Sequence, residues 1–344
     1  MIGICTRYRK ADCTLAAFSI ARHLDAQGRP FAFNCFDRRA CCVDPAYDNR
    51  VHRQSFSKWS AHLEQAIWTS PVDTYFVEAA RKRKLHTTLY TSWDQLGMYD
   101  NNAISAYTHV LVPSLLQAIQ LRDKFNTKNV AVLPYDSGLP ITYKQSNVSP
   151  GEIHLFISLY GAQLRRVPLS AIIMLSEIVR DMPNVHVTIA CSKGLALYTK
   201  QELATFEHMY GKRWNVLHDC PWYKQAVLMG DHDLVVWPTQ MDGLGIVGST
   251  ALSVGTPVIA WDAPPMNEFL SAGRNAILVS CEVTYNWLGM PVVKPNYVEF
   301  DRTLRWLLHE PSALNTLRKY TAERLTTRRQ DYEKGWNVVL PADV

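Results

Sequence analysis

One stretch, Trp237–Glu268, constrains the fold more than any other part of this 344-residue chain. It reads WPTQMDGLGIVGSTALSVGTPVIAWDAPPMNE and begins at the end of an apolar run, Leu234–Trp237. The pattern predicts a strand, a glycine-bearing loop, a helix over Ile246–Ser253 and a second strand over Val258–Trp261, about the size of one βαβ unit. Glycines that precede a helix let backbone N–H groups approach an anion, and the helix N-terminus favours negative charge. Taken alone, the loop fits either a diphosphate site or a turn that serves packing only.

The same alternation continues on both sides of this stretch and predicts a parallel, doubly wound α/β protein. In the first half, the predicted elements are strands at Ile2–Cys5, Phe31–Phe36, Thr87–Thr91, Thr108–Val112 and Val130–Leu133, and helices at Cys13–Leu24, Ala61–Trp68 and Thr74–Arg83. In the second half, they are strands at Ile153–Ser158, Val185–Cys191 and Val216–Leu217, and helices at Pro168–Asp181 and Thr199–Tyr210. Between the halves, residues 139–152 hold two prolines and several polar residues, so we place a linker at 141–152. The sequence therefore predicts Rossmann-like domains over 1–140 and 153–328.

Composition describes an ordinary globular protein, with 47% hydrophobic and 19% charged residues. No apolar run reaches about 18 residues, which predicts that no segment spans a membrane. Arg7 follows only a short apolar stretch, unlike a secretory signal, so we expect a cytoplasmic protein. The eight cysteines contain no C-x-x-C pair and are expected to be mostly buried thiols in a reducing compartment.

Charge is distributed unevenly along the chain. Residues 1–150 contain 18 Lys and Arg against 12 Asp and Glu, whereas residues 151–344 contain 18 against 19. A basic first half beside a neutral second half indicates an anionic partner for the first domain.

The order of landmarks after residue 237 resembles the signature of retaining GT-B glycosyltransferases, the class that includes sucrose synthases, lipopolysaccharide glycosyltransferases and phosphatidylinositol mannosyltransferases. The matching residues are Pro238-Thr239, Asp242-Gly243-Leu244-Gly245-Ile246, Ala251, Gly255-Thr256-Pro257-Val258-Ile259-Ala260 and Glu268. The resemblance implies two Rossmann-like domains that face a cleft, with the donor domain second and a C-terminal helix, 329–344, that crosses back to the first domain.

The same resemblance implies roles for residues of the second half. The donor diphosphate would be held by the Arg165-Arg166 pair, which follows the first predicted strand of that half, and by the amides of Gly243, Leu244, Gly245 and Ile246. The family has two glutamates eight positions apart, one near the transferred sugar and one on the nucleotide ribose. This chain has Asp242 and Thr250 at those positions, so Asp242 would orient the sugar and Thr250 would face the ribose. Glu268 would support the loop.

In the first half, the catalytic candidates are Trp93 and Asp94, which stand where relatives carry a sugar-contacting histidine or acidic residue. Trp93 is also compatible with a core position, and Asp94 with a helix cap. The acceptor-binding candidates are two cationic stretches, Arg7-Tyr8-Arg9-Lys10 after the first strand and the run Arg81-Lys82-Arg83-Lys84. The run is equally suited to closing a helix, where cations complement the dipole.

Asp231-His232-Asp233 looks like a metal-binding D-x-D motif, but it lies just before an apolar strand and is expected to form a helix-to-strand turn. His, Cys and Asp residues show no zinc-ligand spacing, so the sequence predicts no metal and no cofactor beyond a nucleotide-diphosphate sugar, UDP-glucose by default.

Three functions follow as hypotheses. The first is a glycosyltransferase that acts on hydroxymethylated pyrimidines in DNA, as in bacteriophages, because cations interleaved with aromatic residues suit a nucleic acid. The second is a transferase with a membrane glycolipid or polysaccharide acceptor. The third is a non-catalytic nucleotide-sugar-binding protein, because the second family glutamate is replaced by Thr250.

Overall fold

The computed structural model describes residues 1–6, 11–35, 47, 50–52, 55–70, 74–92, 101–137, 151–159, 168–191, 197–286 and 289–340. The chain divides into two compact units. The first combines Met1–Leu139 with Arg329–Val344, and the second comprises Pro140–Arg328. Within the described ranges, no helix is both long and apolar enough to cross a membrane.

The described part of the first unit contains one sheet of seven strands. They are β1 (Ile2–Thr6), β2 (Phe31–Cys35), β3 (Val51–His52), β4 (Gln65–Trp68), β5 (His86–Tyr90), β6 (His109–Val112) and β7 (Val130–Val132). The strand order is β3-β2-β1-β4-β5-β6-β7, and each neighbouring pair is parallel. The chain therefore winds outward in both directions from β1 and β4, which is a doubly wound topology.

Helices connect these strands, as parallel pairing requires. They are α1 (Ala11–Ala26), α2 (Phe56–Trp59), α3 (Thr74–Lys82), α4 (Asn101–Ser105) and α5 (Leu115–Phe125), with a 3₁₀ turn at Ser60–His62. Local sequence sets both ends of α5. The Ser114 hydroxyl accepts a hydrogen bond from the Gln117 amide at 3.2 Å, and Asn126 ends the helix in the left-handed conformation, with φ of 48°.

The predicted helix at Ala61–Trp68 is wrong, because its second half is strand β4. Ala66, Ile67 and Trp68 are fully buried. Strand β4 pairs with β1 on one side and with β5 on the other, so it lies in the interior of the sheet. A short apolar run looks alike in a buried strand and in a buried helix, and here pairing within the sheet decides the outcome.

The second unit has a sheet of six strands among its described residues. They are β8 (Ile153–Leu159), β9 (Val185–Cys191), β10 (Trp214–Leu217), β11 (Leu234–Trp237), β12 (Val258–Trp261) and β13 (Ala276–Val279). The order is β10-β9-β8-β11-β12-β13 with parallel pairing throughout, so the topology reverses between β8 and β11. A separate antiparallel hairpin joins β14 (Glu282–Tyr285) to β15 (Pro291–Lys294).

The helices of the second unit are α6 (Leu169–Asp181), α7 (Leu197–Tyr210), α8 (Trp222–Gly230), α9 (Ile246–Ser253), α10 (Met266–Phe269), α11 (Tyr297–His309) and α12 (Pro311–Glu323), with a 3₁₀ turn at Gly211–Arg213. The succession β11, α9 and β12 has the bounds that the sequence predicts. Strands β11, β12 and β13 are apolar along their whole length, which is usual where helices cover both faces of a parallel sheet.

The last helix, α13 (Leu325–Val339), packs its C-terminal part within the first unit. Tyr332 and Trp336 are buried there. The Tyr332 hydroxyl lies 2.7 Å from the Ser19 hydroxyl of α1, and the Trp336 ring meets Tyr90 of β5 edge-on, with centroids 5.9 Å apart. Two aromatic side chains with a satisfied hydroxyl therefore fix this helix to the first sheet.

The C-terminal end of α3 is closed by the cationic run Arg81–Lys84. The Leu85 amide donates to the Ala80 carbonyl at 3.1 Å and the Lys84 amide to the Arg81 carbonyl at 2.8 Å, which is a Schellman motif. Lys84 stands at the left-handed position, with φ of 62°. Glycine is usual at this position, because a side chain there is strained.

We therefore expect Lys84→Gly to raise the free energy of unfolding by about 1 kcal/mol, since glycine relieves the left-handed strain. Lys82→Gly is the matched control, because it removes the same charge inside the helix and should cost about 1 kcal/mol. Urea unfolding of both variants measures the difference. Equal effects of the two substitutions would contradict the assignment of strain to residue 84.

Candidate functional site

The loop that follows β11 is held by the carboxylate of Asp242. Its Oδ1 atom accepts hydrogen bonds from the amides of Leu244 at 3.1 Å and Gly245 at 2.8 Å. Asp242 is only 3% exposed, so this bonding takes place away from water. Hydrogen bonds from backbone amides to a carboxylate are among the stronger ones in proteins. Asp242 therefore shapes the loop, and two of the four amides predicted to hold a diphosphate already donate to it.

Gly245 allows α9 to begin where it does. It is the residue before the helix and adopts the left-handed conformation, with φ of 67°. A Cβ atom at this position would lie 2.6 Å from the Phe269 ring. Both the backbone conformation and the close ring contact therefore require glycine.

Gly248, in the first turn of α9, permits a second close approach. A Cβ atom there would lie 2.4 Å from the Trp237 ring, at the end of β11. Trp237 is in turn 6.1 Å from Phe269 between ring centroids. The helix start, the strand end and α10 are thus packed together through two aromatic rings and two positions without side chains.

Every residue of α9 is buried. The hydroxyls of Ser249 and Thr250 have no hydrogen-bond partner among the residues that the structure describes. A buried hydroxyl without a partner costs about 1–3 kcal/mol. Thr250, predicted to face a ribose, is therefore a buried and unsatisfied hydroxyl next to the glycine loop.

The short helix α10 carries Glu268, a predicted site residue, and Phe269, whose ring packs close to Gly245. Glu268, predicted to support the loop, is exposed on α10, while Phe269 forms the contact with Gly245. Sequence reasoning missed Phe269, because a phenylalanine on a short helix after a strand carries no signal of what it touches. The role assigned to Glu268 stays a prediction, and Phe269 is a further residue that shapes the glycine loop.

Several predicted residues lie outside the described residues. They are Arg7, Tyr8, Arg9, Lys10, Trp93, Asp94, Arg165 and Arg166. Their positions in the chain still follow the carboxyl ends of strands, since β1 ends at Thr6, β5 at Tyr90 and β8 at Leu159. Ligands of doubly wound proteins bind at these ends, and Gly243–Ile246 follow the carboxyl end of β11 in the same way.

The cationic run on α3 separates into two groups. The Arg83 guanidinium donates to the Ser57 carbonyl at 2.6 Å, the Ser60 hydroxyl at 2.8 Å and the Ser57 hydroxyl at 3.0 Å, so it ties α3 to α2. Arg81 and Lys82, in the last turn of α3, have exposed side chains, as does Lys84. The Arg83 side chain therefore connects two elements of the fold, whereas those of Arg81, Lys82 and Lys84 present charge to the solvent.

Asp231-His232-Asp233 forms the helix-to-strand turn that the sequence predicts. Asp231 ends α8, and His232 Nδ1 lies 2.6 Å from the Leu228 carbonyl. Asp233 is bonded to the His154 amide at 2.8 Å and forms a buried ion pair with Arg318. The motif precedes β11, so it lies at the edge of the sheet opposite the glycine loop.

The cysteines with described side chains behave largely as expected. Cys5, Cys191 and Cys220 are buried and unbridged, and Cys281 is half-buried. Burial raises the pKa of Cys191 to about 12 and that of Cys281 to about 11, so both are neutral thiols at physiological pH.

The arrangement after β11 suits an anionic ligand. Buried helix N-termini carry partial positive charge, and the first amides of α9 have no partner within the helix. The Asp242 bonds preform the loop, so a ligand would meet a fixed backbone.

No protein-family model and no curated protein matches the sequence. Solved structures do resemble it over nearly the whole chain. HepE from Anabaena, crystallised with UDP, is 14% identical with a TM-score of 0.72, covering 98% of this chain and 99% of HepE. Sucrose-phosphate synthase from Thermosynechococcus elongatus is 11% identical with a TM-score of 0.69 and 98% coverage of both chains. A glycosyltransferase from Rickettsia africae is 8% identical with a TM-score of 0.71, covering 99% and 98%.

At identities this low, the structural similarity shows the fold alone, and function has to be argued from the site. The seven-stranded and six-stranded sheets are parallel and doubly wound, and the likeness extends through both units. The chain has the GT-B fold, built from two Rossmann-like domains.

Proposed function

We propose that the protein is a retaining glycosyltransferase that moves a hexose, by default glucose, from a nucleotide-diphosphate sugar to a hydroxyl acceptor. The observation that carries this proposal is the preformed glycine loop at the start of α9, which lies at the carboxyl end of β11 in a GT-B fold. HepE, which is similar in structure, has been crystallised with UDP, with UDP and glucose, and with UDP-glucose. The resemblance of the motif to retaining enzymes supports transfer with retention of configuration at the anomeric carbon.

The donor would be held by contributions of three kinds. Arg165 and Arg166 would supply bidentate donors to the diphosphate, and the first amides of α9, from Ile246 onward, would add the helix dipole. Asp242 would act by fixing the loop rather than by touching phosphate. The Thr250 hydroxyl is buried and has no hydrogen-bond partner among the described residues. A ribose hydroxyl of the nucleotide sugar would supply one, which supports the proposal that Thr250 faces the ribose.

In the reaction, the bond between the anomeric carbon and the diphosphate oxygen breaks, and the diphosphate leaves with the electron pair. The acceptor oxygen forms the new bond to the same carbon and gives its proton to the departing diphosphate. Asp94 and Trp93 would orient the sugar. The charge that develops on the leaving diphosphate would be stabilised by the arginine pair and the amides, so the proposed chemistry requires no metal.

For the acceptor we propose hydroxymethylated pyrimidine in DNA, with reaction in the cytoplasm. The first half of the chain is basic, and Arg81, Lys82 and Lys84 present exposed charge that suits phosphate. The reactive base would have to leave the stack to reach the donor sugar.

One observation favours a membrane glycolipid acceptor instead. Tyr75, on the same helix as Arg81 and Lys82, is 69% exposed. An exposed tyrosine beside cations suits the surface of an anionic membrane. A non-catalytic nucleotide-sugar-binding protein remains the third candidate, because of Thr250.

The proposal predicts sugar transfer to a specific acceptor class. Incubation with labelled UDP-glucose and either hydroxymethylcytosine DNA, hydroxymethyluracil DNA, unmodified DNA or anionic lipid extract should place label on hydroxymethylated DNA alone. An α-anomeric product, read from its anomeric proton by NMR, would support retention. Label on lipid would show that the acceptor is a lipid and not DNA. UDP binding without transfer to any acceptor would favour a non-catalytic nucleotide-sugar-binding protein.

Gly245→Ala should lower the affinity for UDP by at least about tenfold, because the new Cβ displaces the loop or Phe269. Gly273→Ala is the matched control, since Gly273 has φ of 69° but nothing within 4 Å of the position that a Cβ would occupy. Both variants should lose about 1 kcal/mol to left-handed strain, and only Gly245→Ala should affect UDP titration calorimetry. An equal loss of affinity in both variants would argue against a donor site at this loop.

Replacing Arg81 and Lys82 together by glutamine should reduce the slope of log affinity for DNA against log salt by about 2, since each phosphate contact contributes about 0.9. The control variant, Arg302→Gln with Lys319→Gln, makes the same change of charge at exposed positions on two helices of the second unit. An unchanged slope in the first variant would remove α3 from the acceptor surface.

A further inference from the structure

A cluster of three ligand-type side chains lies at the amino-terminal edge of the second sheet. Glu152 directly precedes β8, His154 is the second residue of β8, and His186 is the second residue of β9. In extended backbone, residues two apart point to the same side, so Glu152 and His154 share a face. The parallel register pairs His154 with His186. Backbone geometry alone therefore brings the three side chains together.

The distances within the cluster are close to those of a metal site. One ligand atom from each residue lies within 4.8 Å of the others. Glu152 carboxylate oxygens are 3.5 Å from His154 Nε2 and 3.7 Å from His186 Nε2. A tetrahedral zinc site, with bonds of about 2.0–2.2 Å, separates its ligand atoms by about 3.3 Å. The carboxylate is thus nearly in place, and the two imidazoles need to turn toward each other.

The side chains have the freedom for that movement. The imidazole rings are stacked, with centroids 4.7 Å apart and planes 8° apart, and their side chains are 30% and 22% exposed. The Glu152 side chain is 42% exposed. All three side chains therefore border water, which leaves room for the change of side-chain torsion that a bound cation would require.

The surroundings of the cluster also suit a bound cation. His186 forms a hydrogen bond with the Lys212 backbone, and a second hydrogen bond of this kind is what orients metal-binding histidines. A groove of about 630 Å³ borders both histidines and is also lined by Glu207, Lys212 and Asn215. The Arg213 side chain is turned to the Val179 and Met182 carbonyls.

We propose that Glu152, His154 and His186 bind one divalent cation of the zinc class. Two imidazoles and one carboxylate form a recognised set of three protein ligands for zinc, with water in the fourth position. The cation would join β8 to β9 at the amino ends of the strands. The glycine loop follows the carboxyl end of β11, at the opposite edge of the sheet, so the cation stands apart from the proposed transfer reaction.

The test uses the full chain without a histidine tag. Isothermal titration with Zn²⁺ should give one site, and His186→Ala and His154→Ala should each weaken it by at least about tenfold. Co²⁺ should bind with visible absorption bands of tetrahedral intensity. His309→Ala, which removes an exposed histidine at the end of α11, is the control and should bind as the unaltered protein does.

Thermal unfolding separates a loss of Zn²⁺ binding from a loss of stability, because each variant is compared with itself in the presence and absence of Zn²⁺. The unaltered chain and His309→Ala should gain in Tm on adding Zn²⁺, and the two cluster variants should not. Glu152→Gln, at an exposed position, should also show no rise in Tm when Zn²⁺ is added. The proposal is overturned if Zn²⁺ does not bind, or if binding persists in the His154→Ala, His186→Ala double variant.

Discussion

The close approach of backbone to aromatic rings at Gly245 and Gly248 is the constraint on which the site after β11 depends. Phe269 occupies the space of one missing Cβ, and Trp237 the space of the other. These contacts fix where α9 begins relative to the end of β11, and the Asp242 carboxylate then holds the intervening amides. A helix start placed this firmly keeps its partial positive charge in one position, which is what preorganised binding of an anion requires.

Elements whose signals are local can be predicted from the sequence. The strand Leu234–Trp237, the helix Ile246–Ser253 and the strand Val258–Trp261 have the expected bounds, because glycines and a Gly-Thr-Pro turn punctuate them. The turn at Asp231–Asp233 is likewise predictable, from its place before an apolar strand. In each case the determining residues lie within a few positions of the structure that they determine.

What the sequence does not reveal depends on partners far along the chain. The sequence of strand β4 resembles that of a helix, and its conformation is decided by pairing with β1 and β5. Phe269 carries no local signal because its contact with Gly245 arises only when α10 folds over the loop. His154 and His186 are 32 positions apart, and only the parallel register places them side by side. Spacing rules for metal ligands assume one turn or hairpin, so they do not detect ligands on neighbouring parallel strands.

The second sheet places different chemistry at its two edges for a topological reason. Every strand runs in the same direction, so all loops that leave the strands meet at one edge and all loops that enter them meet at the other. Asp242 and Gly245 belong to the first edge, whereas Glu152, His154 and the Asp233–Arg318 ion pair belong to the second. At the entering edge, the Asp233 carboxylate accepts a hydrogen bond from the His154 amide and so joins the start of β11 to β8. The leaving edge instead carries the glycine loop and the start of α9, the helix in which the buried Thr250 hydroxyl has no partner among the described residues and so lowers stability.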